Sequence, residues 1–305
     1  MTTAAARRAR LARVLLWVVP LLWSSNYIIA RAADGVIAPH ALAFGRWLLA
    51  AALLAPFVWR GLLRRDGEGR LVWRHEWKQL LVLGALGMWI CGAWVYLGGQ
   101  STTSTNIALI YAATPVTIVV FGAWMLHERM GRAQVAGAVL ALLGVLFVIA
   151  KGDPGNLLAV RFTAGDGWIV AAAVAWTAYS VLLKHWPSAL GPGERLVAII
   201  AGGLLVMAPF TLAEALWTTG EPAPPLGAAA LGLVVLAAVL PGVLSYSAYS
   251  YLQRELGASR TALMLYLAPV YGAALAWALL GERPGWYHAA GAALILPSIW
   301  LATRR

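Results

Sequence analysis

Residues 126–137 read L-H-E-R-M-G-R-A-Q-V-A-G, and residues 280–291 read L-G-E-R-P-G-W-Y-H-A-A-G. The Glu-Arg-x-Gly core and the Ala-Gly pair that follows it recur at a constant offset of 154 residues, the separation of Glu128 from Glu282. A single register that matches Glu, Arg and Gly together is not expected by chance in a chain rich in Ala and Leu. The repeat therefore predicts that the chain consists of two related halves.

A second set of matches extends the repeat toward the start of each half. The run Ala55-Pro56-Phe57 reappears as Ala208-Pro209-Phe210, and Trp23 reappears as Trp176, at an offset of 153 residues. The pattern predicts a first half over residues 1–155 and a second half over residues 156–305.

Composition places the chain in a membrane. Hydrophobic residues make up 61% of it and charged residues only 11%, whereas soluble domains carry roughly 45–50% and roughly 25%. Because so few charges cannot cover a water-facing surface, the surface must face lipid, and the lipid bilayer is the first predicted partner. The 16 Trp and 10 Tyr residues fit interfacial aromatic belts. The single cysteine, Cys91, cannot form an internal disulfide, and we expect no metal and no cofactor.

Apolar runs between the charged and Gly/Pro-rich breaks are long enough to cross a bilayer. A spanning helix needs roughly 20 mostly apolar residues, and backbone groups in lipid must bond within the protein. The runs are continuous rather than alternating, which favours helices over a strand barrel. The sequence predicts an all-α integral membrane protein with ten transmembrane helices, at residues 14–33, 40–59, 78–98, 104–126, 133–150, 167–185, 194–216, 228–250, 259–280 and 286–303.

The Lys and Arg residues predict the orientation, because cytoplasmic segments carry an excess of both. With ten crossings, 18 of the 23 lie on the side of both termini, Arg46 lies within a span, and the other four are Arg31, Lys151, Arg161 and Arg283. We expect a multi-pass protein of the cell membrane with both termini in the cytoplasm. Orientation and contact with anionic lipid account for the net charge of +11, so no nucleic-acid partner is expected.

Each half holds five predicted helices, so the second half enters the membrane from the opposite side. Inverted repeats of this kind are typical of secondary transporters, whose substrate binds near the midplane where the halves meet. Some channels are inverted repeats too, so the duplication favours a transporter without requiring one.

Several motifs resemble the ten-helix EamA-type branch of the drug/metabolite transporter superfamily, across the whole chain. They are L-W-S-S-N-Y (22–27), Arg46 in the second helix, A-A-T-P-V (112–116), L-A-P-V (267–270), and the duplicated H-E-R-x-G (127–131) and G-E-R-x-G (281–285). The resemblance implies export or exchange of small metabolites, often amino acids, by alternating access. It also implies that helices one to four and six to nine surround a central cavity, with helices five and ten at the periphery.

Arg46 is the strongest candidate for binding substrate. An ionisable group at membrane depth is costly and indicates a functional site by default, and a guanidinium can bind a carboxylate through two hydrogen bonds. The repeat places Ile199 at the corresponding position, so the two halves differ here. The alternative is a structural Arg that snorkels to headgroups or bonds to helix-end carbonyls.

Polar and aromatic side chains in the central helices are further candidates for the substrate path. Asn26 corresponds to Tyr179 in the repeat, and aromatic rings can hold cationic or aromatic groups. Ordinary helix packing is the alternative for each of them. The remaining substrate-binding candidates are Trp23, Tyr27, Tyr96, Tyr111, Trp176, Tyr246, Tyr249 and Tyr266.

Two repeated features are candidates for motion or for structure. Pro115 and Pro269 fall within predicted helices four and nine and are expected to interrupt them, as hinges or as static bends. The pairs Glu128–Arg129 and Glu282–Arg283 lie in short connections. They are expected to form charge pairs that hold tight turns, with a mobile gate as the alternative.

No enzyme site stands out in the sequence, and because it has no phosphate-binding Walker motif, we do not expect ATP to drive transport within this chain. The 12 acidic residues map to connections or helix ends, which favours a facilitator or exchanger, or proton coupling through a peripheral group, over transport driven through a midplane carboxylate. We therefore expect a secondary transporter of a small-molecule substrate, amino acids or related compounds, as a monomer or homodimer. The alternatives are a nucleotide-sugar or lipid-linked carrier of the same superfamily, and a non-transporting membrane enzyme or scaffold.

Overall fold

The structure of the protein is a computed structural model that describes residues 3–217, 227–281 and 283–303. Ten long helices make up this described part of the chain. No β-strand occurs within these ranges, where a single bridge joins Arg65 to Leu71. A 3-10 turn at Val72–His75 and a one-turn helix at Gly155–Leu158 lie in the connections. The long helices are α1 (Thr3–Ala33), α2 (Pro39–Leu62), α3 (Trp77–Gly99), α4 (Ser104–Ala112 and Thr114–Met125), α5 (Arg132–Ile149), α6 (Ala164–His185), α7 (Pro192–Trp217), α8 (Ala228–Leu256), α9 (Ala258–Ala262, Leu263–Leu267 and Ala268–Leu280) and α10 (Trp286–Thr303).

The helices confirm the all-α membrane fold. Among the described residues, nine helices are long and apolar enough to span a bilayer. The tenth predicted span, α10, runs over the 18 residues Trp286–Thr303. Large apolar side chains face outward on the bundle; Phe57 is 86% exposed and Trp124 is 70% exposed. Such a surface suits lipid and not water.

Helices α3 and α8 both change to π-helical geometry partway along. The π segments are Ala85–Trp94 in α3 and Ala238–Leu244 in α8, and their first residues are related by the 153-residue offset. π-helical turns are rare and are frequent at functional sites. The same local departure at related positions supports the internal duplication, whereas the boundary at 155/156 stays a prediction.

Glycines let the helices approach backbone to backbone, as small residues do in membrane proteins. A Cβ on Gly84 of α3 would lie 2.2 Å from the backbone nitrogen of Gly203 in α7. Helix α7 also packs along α2, while α1 packs on α8 and α9, and α6 packs on α3 and α4. Most of these contacts join one half of the chain to the other.

Helices α5 and α10 pair with each other along their length. A Cβ on Gly137 would lie 2.6 Å from the carbonyl oxygen of Ser298, and one on Gly291 would lie 2.1 Å from Val148 Cγ2. Their partners outside the pair are segments of α4 and α9. This arrangement is the one that the resemblance implies for helices five and ten.

Both repeated prolines sit where a helix is interrupted. Helix α4 breaks at Ala113, and Pro115 lies in the first turn of the segment that follows. In α9, Pro269 lies in the first turn after the 3-10 segment Leu263–Leu267. The predicted interruptions are confirmed, and their use as hinges stays a prediction.

Glu128 has a different partner from the one predicted. Its carboxylate accepts the backbone N–H groups of Ala258 at 2.9 Å and Ser259 at 2.8 Å, at the start of α9. Arg129 is exposed, and no ion pair joins it to Glu128 among the described residues, so the expected Glu128–Arg129 pair does not hold the turn. The carboxylate instead satisfies orphan donors at a helix N-terminus in the other half, where negative charge is favourable. In the second copy, Arg283 is exposed and Glu282 lies outside the described residues.

Candidate functional site

Arg46 lies inside the helix bundle and not at its surface. Its side chain extends from α2 and is 4% exposed. Nη2 donates to the carbonyl oxygen of Pro241 in α8 at 3.1 Å, and Nη1 donates to Asn26 Oδ1 in α1 at 3.5 Å. The guanidinium carbon lies 4.5 Å from the ring centroid of Trp47. A buried cation is therefore held by neutral groups of both halves.

No carboxylate balances this charge in the part of the chain that the structure describes. The ion pairs there are His40–Glu214, Arg70–Glu68 and His75–Asp66. The Nε of Arg46 is buried and has no hydrogen-bond partner among the described residues. A desolvated, unpaired guanidinium favours binding of an anion.

Asn26 joins a third helix to this group. Its Oδ1 accepts a hydrogen bond from Tyr96 Oη of α3 at 2.8 Å, shorter than its contact with Arg46. Tyr96 is buried and Asn26 is half-buried. The Tyr96 hydroxyl therefore orients the amide oxygen toward the guanidinium. Four helices, α1, α2, α3 and α8, meet at Arg46, Asn26, Tyr96 and Pro241, which we call the Arg46 site.

The π segments supply backbone acceptors to neighbouring side chains. Trp47 Nε1 donates to the Met88 carbonyl at 3.0 Å, and Tyr246 Oη donates to the Gly87 carbonyl at 3.1 Å. Met88 and Pro241 are related by the 153-residue offset, so α2 donates to equivalent carbonyls of α3 and α8. Because backbone groups at membrane depth must be satisfied within the protein, these bonds hold the helices together around the Arg46 site.

Aromatic rings of both halves pack beside the Arg46 site. The ring centroids of Trp23 and Trp176, which correspond in the repeat, are 5.2 Å apart, and those of Trp47 and Tyr246 are 4.8 Å apart. Such spacing is typical of favourable edge-to-face pairs. The central aromatic cluster consists of Trp23, Trp47, Trp176, Tyr179, Tyr246 and Tyr249.

A short hydrogen-bonded chain borders this cluster. Tyr249 Oη donates to Ser180 Oγ at 2.8 Å, and Gln253 Nε2 donates to the Ser180 carbonyl at 3.1 Å and to Tyr249 Oη at 2.9 Å. These three side chains are buried. The hydroxyl of Tyr179, also buried, has no partner within the described chain. The cluster therefore has one bonded polar edge and one polar group that a substrate could bind.

The structure brings together eight of the predicted substrate-binding residues in the Arg46 site and the central aromatic cluster: Arg46, Asn26, Trp23, Tyr96, Trp176, Tyr179, Tyr246 and Tyr249. It places Tyr266 elsewhere, in a separate core formed with α5 and α10. Tyr111 is half-buried on α4, and the side chain of Tyr27 lies outside what the structure describes. A shared residue type on an apolar helix thus did not predict a shared location.

Sequence reasoning missed Trp47, Pro241, Ser180 and Gln253. Trp47 directly follows Arg46, so a signal for it was present, and a proline within α8 marks a disturbed helix. Ser180 and Gln253 carry no comparable signal. No group of three or more metal-binding side chains occurs within the described ranges.

Comparison with known proteins identifies the family. The model of the EamA-like transporter family matches residues 11–150 and again residues 163–304. The chain belongs to this family. Its relatives are named as transporters and not as enzymes, so the chain is a multi-pass membrane transporter, and the enzyme alternative is set aside.

Three relatives and one solved structure show the extent of the similarity. An uncharacterised transporter of Archaeoglobus fulgidus is 26% identical over 300 residues, covering 96% of this chain and 97% of that protein. A probable terminal-alkyne amino-acid exporter of Streptantibioticus cattleyicolor is 26% identical, covering 76% and 74%. An S-adenosylmethionine/S-adenosylhomocysteine transporter of Chlamydia trachomatis is 22% identical, covering 91% and 85%. A crystal structure at 21% identity shares the fold, with a TM-score of 0.73 and 96% of each chain covered.

Proposed function

We propose that this EamA-like transporter moves small carboxylate-bearing metabolites, amino acids or their derivatives, by export or exchange. The observation that carries the proposal is Arg46, which is 4% exposed and bonded only to neutral acceptors. A substrate carboxylate would supply the missing counter-charge. It would also use the unpartnered Nε donor.

Substrate binding would replace neutral partners of Arg46 with a charged one. Burying a cation away from water is costly unless it is paired and hydrogen-bonded. Two neutral bonds and the Trp47 ring offset part of that cost when substrate is absent. An entering carboxylate offsets more of it through charge-assisted bonds, which are roughly twice as strong as neutral ones. Binding and release of one anion per cycle therefore suit this site.

The substrate class is supported by chemistry that two relatives share. One is named for a terminal-alkyne amino acid and another for S-adenosylmethionine and S-adenosylhomocysteine. These compounds all contain an α-amino carboxylate. In this chain the central aromatic cluster lies beside Arg46 and suits the organic part or the cationic group of such a molecule.

The position of the proposed site, between the two halves of the chain, supports transport by alternating access. The Arg46 site joins side chains of α1, α2 and α3 to a backbone carbonyl of α8, and the central aromatic cluster joins side chains of α1 and α2 to side chains of α6 and α8. A rocking motion of one half against the other would open this place to each side in turn. The distribution of Lys and Arg supports an orientation in the cell membrane with both termini on the cytoplasmic side.

Coupling is proposed to be that of a facilitator or exchanger. No Asp or Glu of the described chain contacts the Arg46 site or the central aromatic cluster. A counterflow assay in proteoliposomes, with and without a pH gradient, tests this. Uptake against a gradient driven by protons alone would contradict it.

Thermal-shift screening followed by mutation tests the substrate class. Purified protein is screened against amino acids, nucleotide sugars, organic cations and sugars. We expect stabilisation by an amino acid or derivative, lost in Arg46→Ala and weakened in Arg46→Lys, with no change in Arg74→Ala, an exposed loop Arg. An anionic hit whose stabilisation survives Arg46→Ala would overturn the anchor role. A hit among nucleotide sugars alone would replace the substrate class.

A further inference from the structure

A cavity opens at the end of the bundle where α6 ends, α7 begins and α8 ends. It is a small cavity of about 50 Å³ that is open to solvent on one side, and its wall includes Lys184, Arg195, Arg254, Ser250 and Gln253. It is distinct from the Arg46 site. Ile199, which also lines the cavity, corresponds to Arg46 in the repeat, so the cavity lies at the mirrored place in the second half.

The wall of this cavity is basic. Lys184 and Arg254 are exposed and Arg195 is half-buried, and no Asp or Glu of the described chain lines the cavity. Glu76 lies at the same end of the bundle, where its carboxylate accepts hydrogen bonds from Ser188 and the Ala189 backbone, and it does not line the cavity. A concave surface of one charge sign concentrates anions.

Arg195 is a positioned donor rather than a mobile surface cation. Nη1 donates to the Leu183 carbonyl at 2.9 Å and Nη2 to the Trp186 carbonyl at 2.7 Å, which ties it to the end of α6. Its Nε is buried and has no partner among the described residues. Of the five N–H donors of the guanidinium, two are used in these bonds, so donors remain for a ligand.

Gln253 adds an acceptor to the same wall. The side chain is 2% exposed, and both of its hydrogen bonds are donated by Nε2, to Ser180 and Tyr249. Oε1 is buried and has no partner in the described part of the chain. An unsatisfied buried acceptor is unfavourable, so this position favours a ligand with an N–H donor.

We propose that the cavity is a second binding site, for a small zwitterion whose anionic group meets the three cations and whose ammonium group meets Gln253. Carboxylate and phosphate both fit the anionic position. The choice of an amino acid as the ligand rests on the proposed function, whereas the zwitterionic chemistry of the site does not. Gln253, which lines the cavity, donates a hydrogen bond to Tyr249 of the central aromatic cluster, so the second site borders that cluster.

Two sources offer this chemistry: a free amino acid and the headgroup of phosphatidylethanolamine. O-phosphoethanolamine is a soluble probe for both, and phosphocholine is its counterpart without an N–H donor. The test is calorimetric titration of the delipidated protein in neutral detergent. We expect O-phosphoethanolamine to bind more tightly than phosphocholine, and Gln253→Leu to remove that preference.

Two charge-matched variants isolate the cavity. Lys184→Gln combined with Arg254→Gln should weaken binding about tenfold or more, because charge-assisted bonds are lost. Arg74→Gln combined with Lys78→Gln removes the same charge from exposed positions at the same end of the bundle and should leave binding unchanged. Ser250→Leu, which narrows the cavity without removing charge, should also weaken it. Equal binding in all three would overturn the proposal.

The remaining arms separate this site from the Arg46 site and one source from the other. Arg46→Ala should still bind O-phosphoethanolamine, so failure of the anchor role of Arg46 can be distinguished from failure of this proposal. Loss of binding in that variant would show that the two sites are not separate. In nanodiscs of phosphatidylethanolamine, suppression of probe binding relative to phosphatidylcholine nanodiscs assigns the site to the headgroup. Equal binding in both assigns it to a free solute.

Discussion

The Nδ1 of His40 lies 3.0 Å from Glu214 Oε1, and the other oxygen of that carboxylate accepts the backbone N–H groups of His40 at 2.9 Å and Ala41 at 3.2 Å. The side chains are 10% and 9% exposed. One residue starts α2 and the other lies near the end of α7, so a buried carboxylate ties the two halves together. Arg46 lies less than two turns further along α2, so this tie also positions the proposed anchor.

Glu214→Gln should destabilise the protein by about 1–3 kcal/mol, since hydrogen bonds to a buried charge are strong and the N-terminus of α2 loses its anionic partner. Thermal unfolding in detergent measures the loss. Glu68→Gln removes a carboxylate whose side chain is 70% exposed and should leave unfolding unchanged. If the two variants melt alike, the His40–Glu214 tie is not stabilising.

Gly84→Ala should destabilise the bundle by about 1–3 kcal/mol, the usual range for overpacking. Its Cβ would lie 2.2 Å from a backbone atom of Gly203, and backbone cannot move aside as a flexible side chain can. Gly232→Ala, in α8, adds the same methyl where nothing lies within 4 Å and should be neutral or slightly stabilising. Opposite signs in thermal unfolding are the expected result; a shared sign would contradict the close α3–α7 approach.

Glu128→Ala should cost about 0.5–2 kcal/mol, the range for loss of a helix N-cap partner, because the N–H groups of Ala258 and Ser259 lose their acceptor. Arg129→Ala should change stability little, since the carboxylate does not depend on it. Chemical or thermal unfolding of both variants decides between a cap and a charge pair. Equal losses would restore the charge pair that the sequence suggests.

Tyr96→Phe should weaken substrate binding roughly two- to tenfold, since one hydrogen bond contributes about 0.5–1.5 kcal/mol and the hydroxyl orients Asn26 toward Arg46. The readout is the half-saturating substrate concentration in counterflow, with thermal stability measured in parallel. Tyr266→Phe is the matched control, because the Tyr266 hydroxyl has no partner in the described chain and lies in a separate core. An unchanged half-saturation in Tyr96→Phe would remove Tyr96 from the proposed site.

Some residues of the candidate site could be predicted from the sequence, and others could not. Arg46 and Asn26 are conspicuous in the sequence because a charge or an amide within an apolar run is costly to bury and therefore indicates a function. Tyr246 and Tyr266 look alike in the sequence, yet one packs in the central aromatic cluster and the other in the core beside α5 and α10. Which face of a helix looks inward depends on neighbours that are distant in the sequence, and a π segment rotates the residues that follow it.

The sequence by itself determined the membrane setting, the helices and the duplication, because run length, composition and repeated motifs are properties of the linear chain. Only the tertiary structure decided the partners: Pro241 for Arg46, Tyr96 for Asn26, and the start of α9 for Glu128. Each of these contacts joins helices whose rotation and depth are set by close Gly packing and by the π segments. A repeated Glu-Arg pair thus revealed two halves, but the contacts between them exist only once the helices pack.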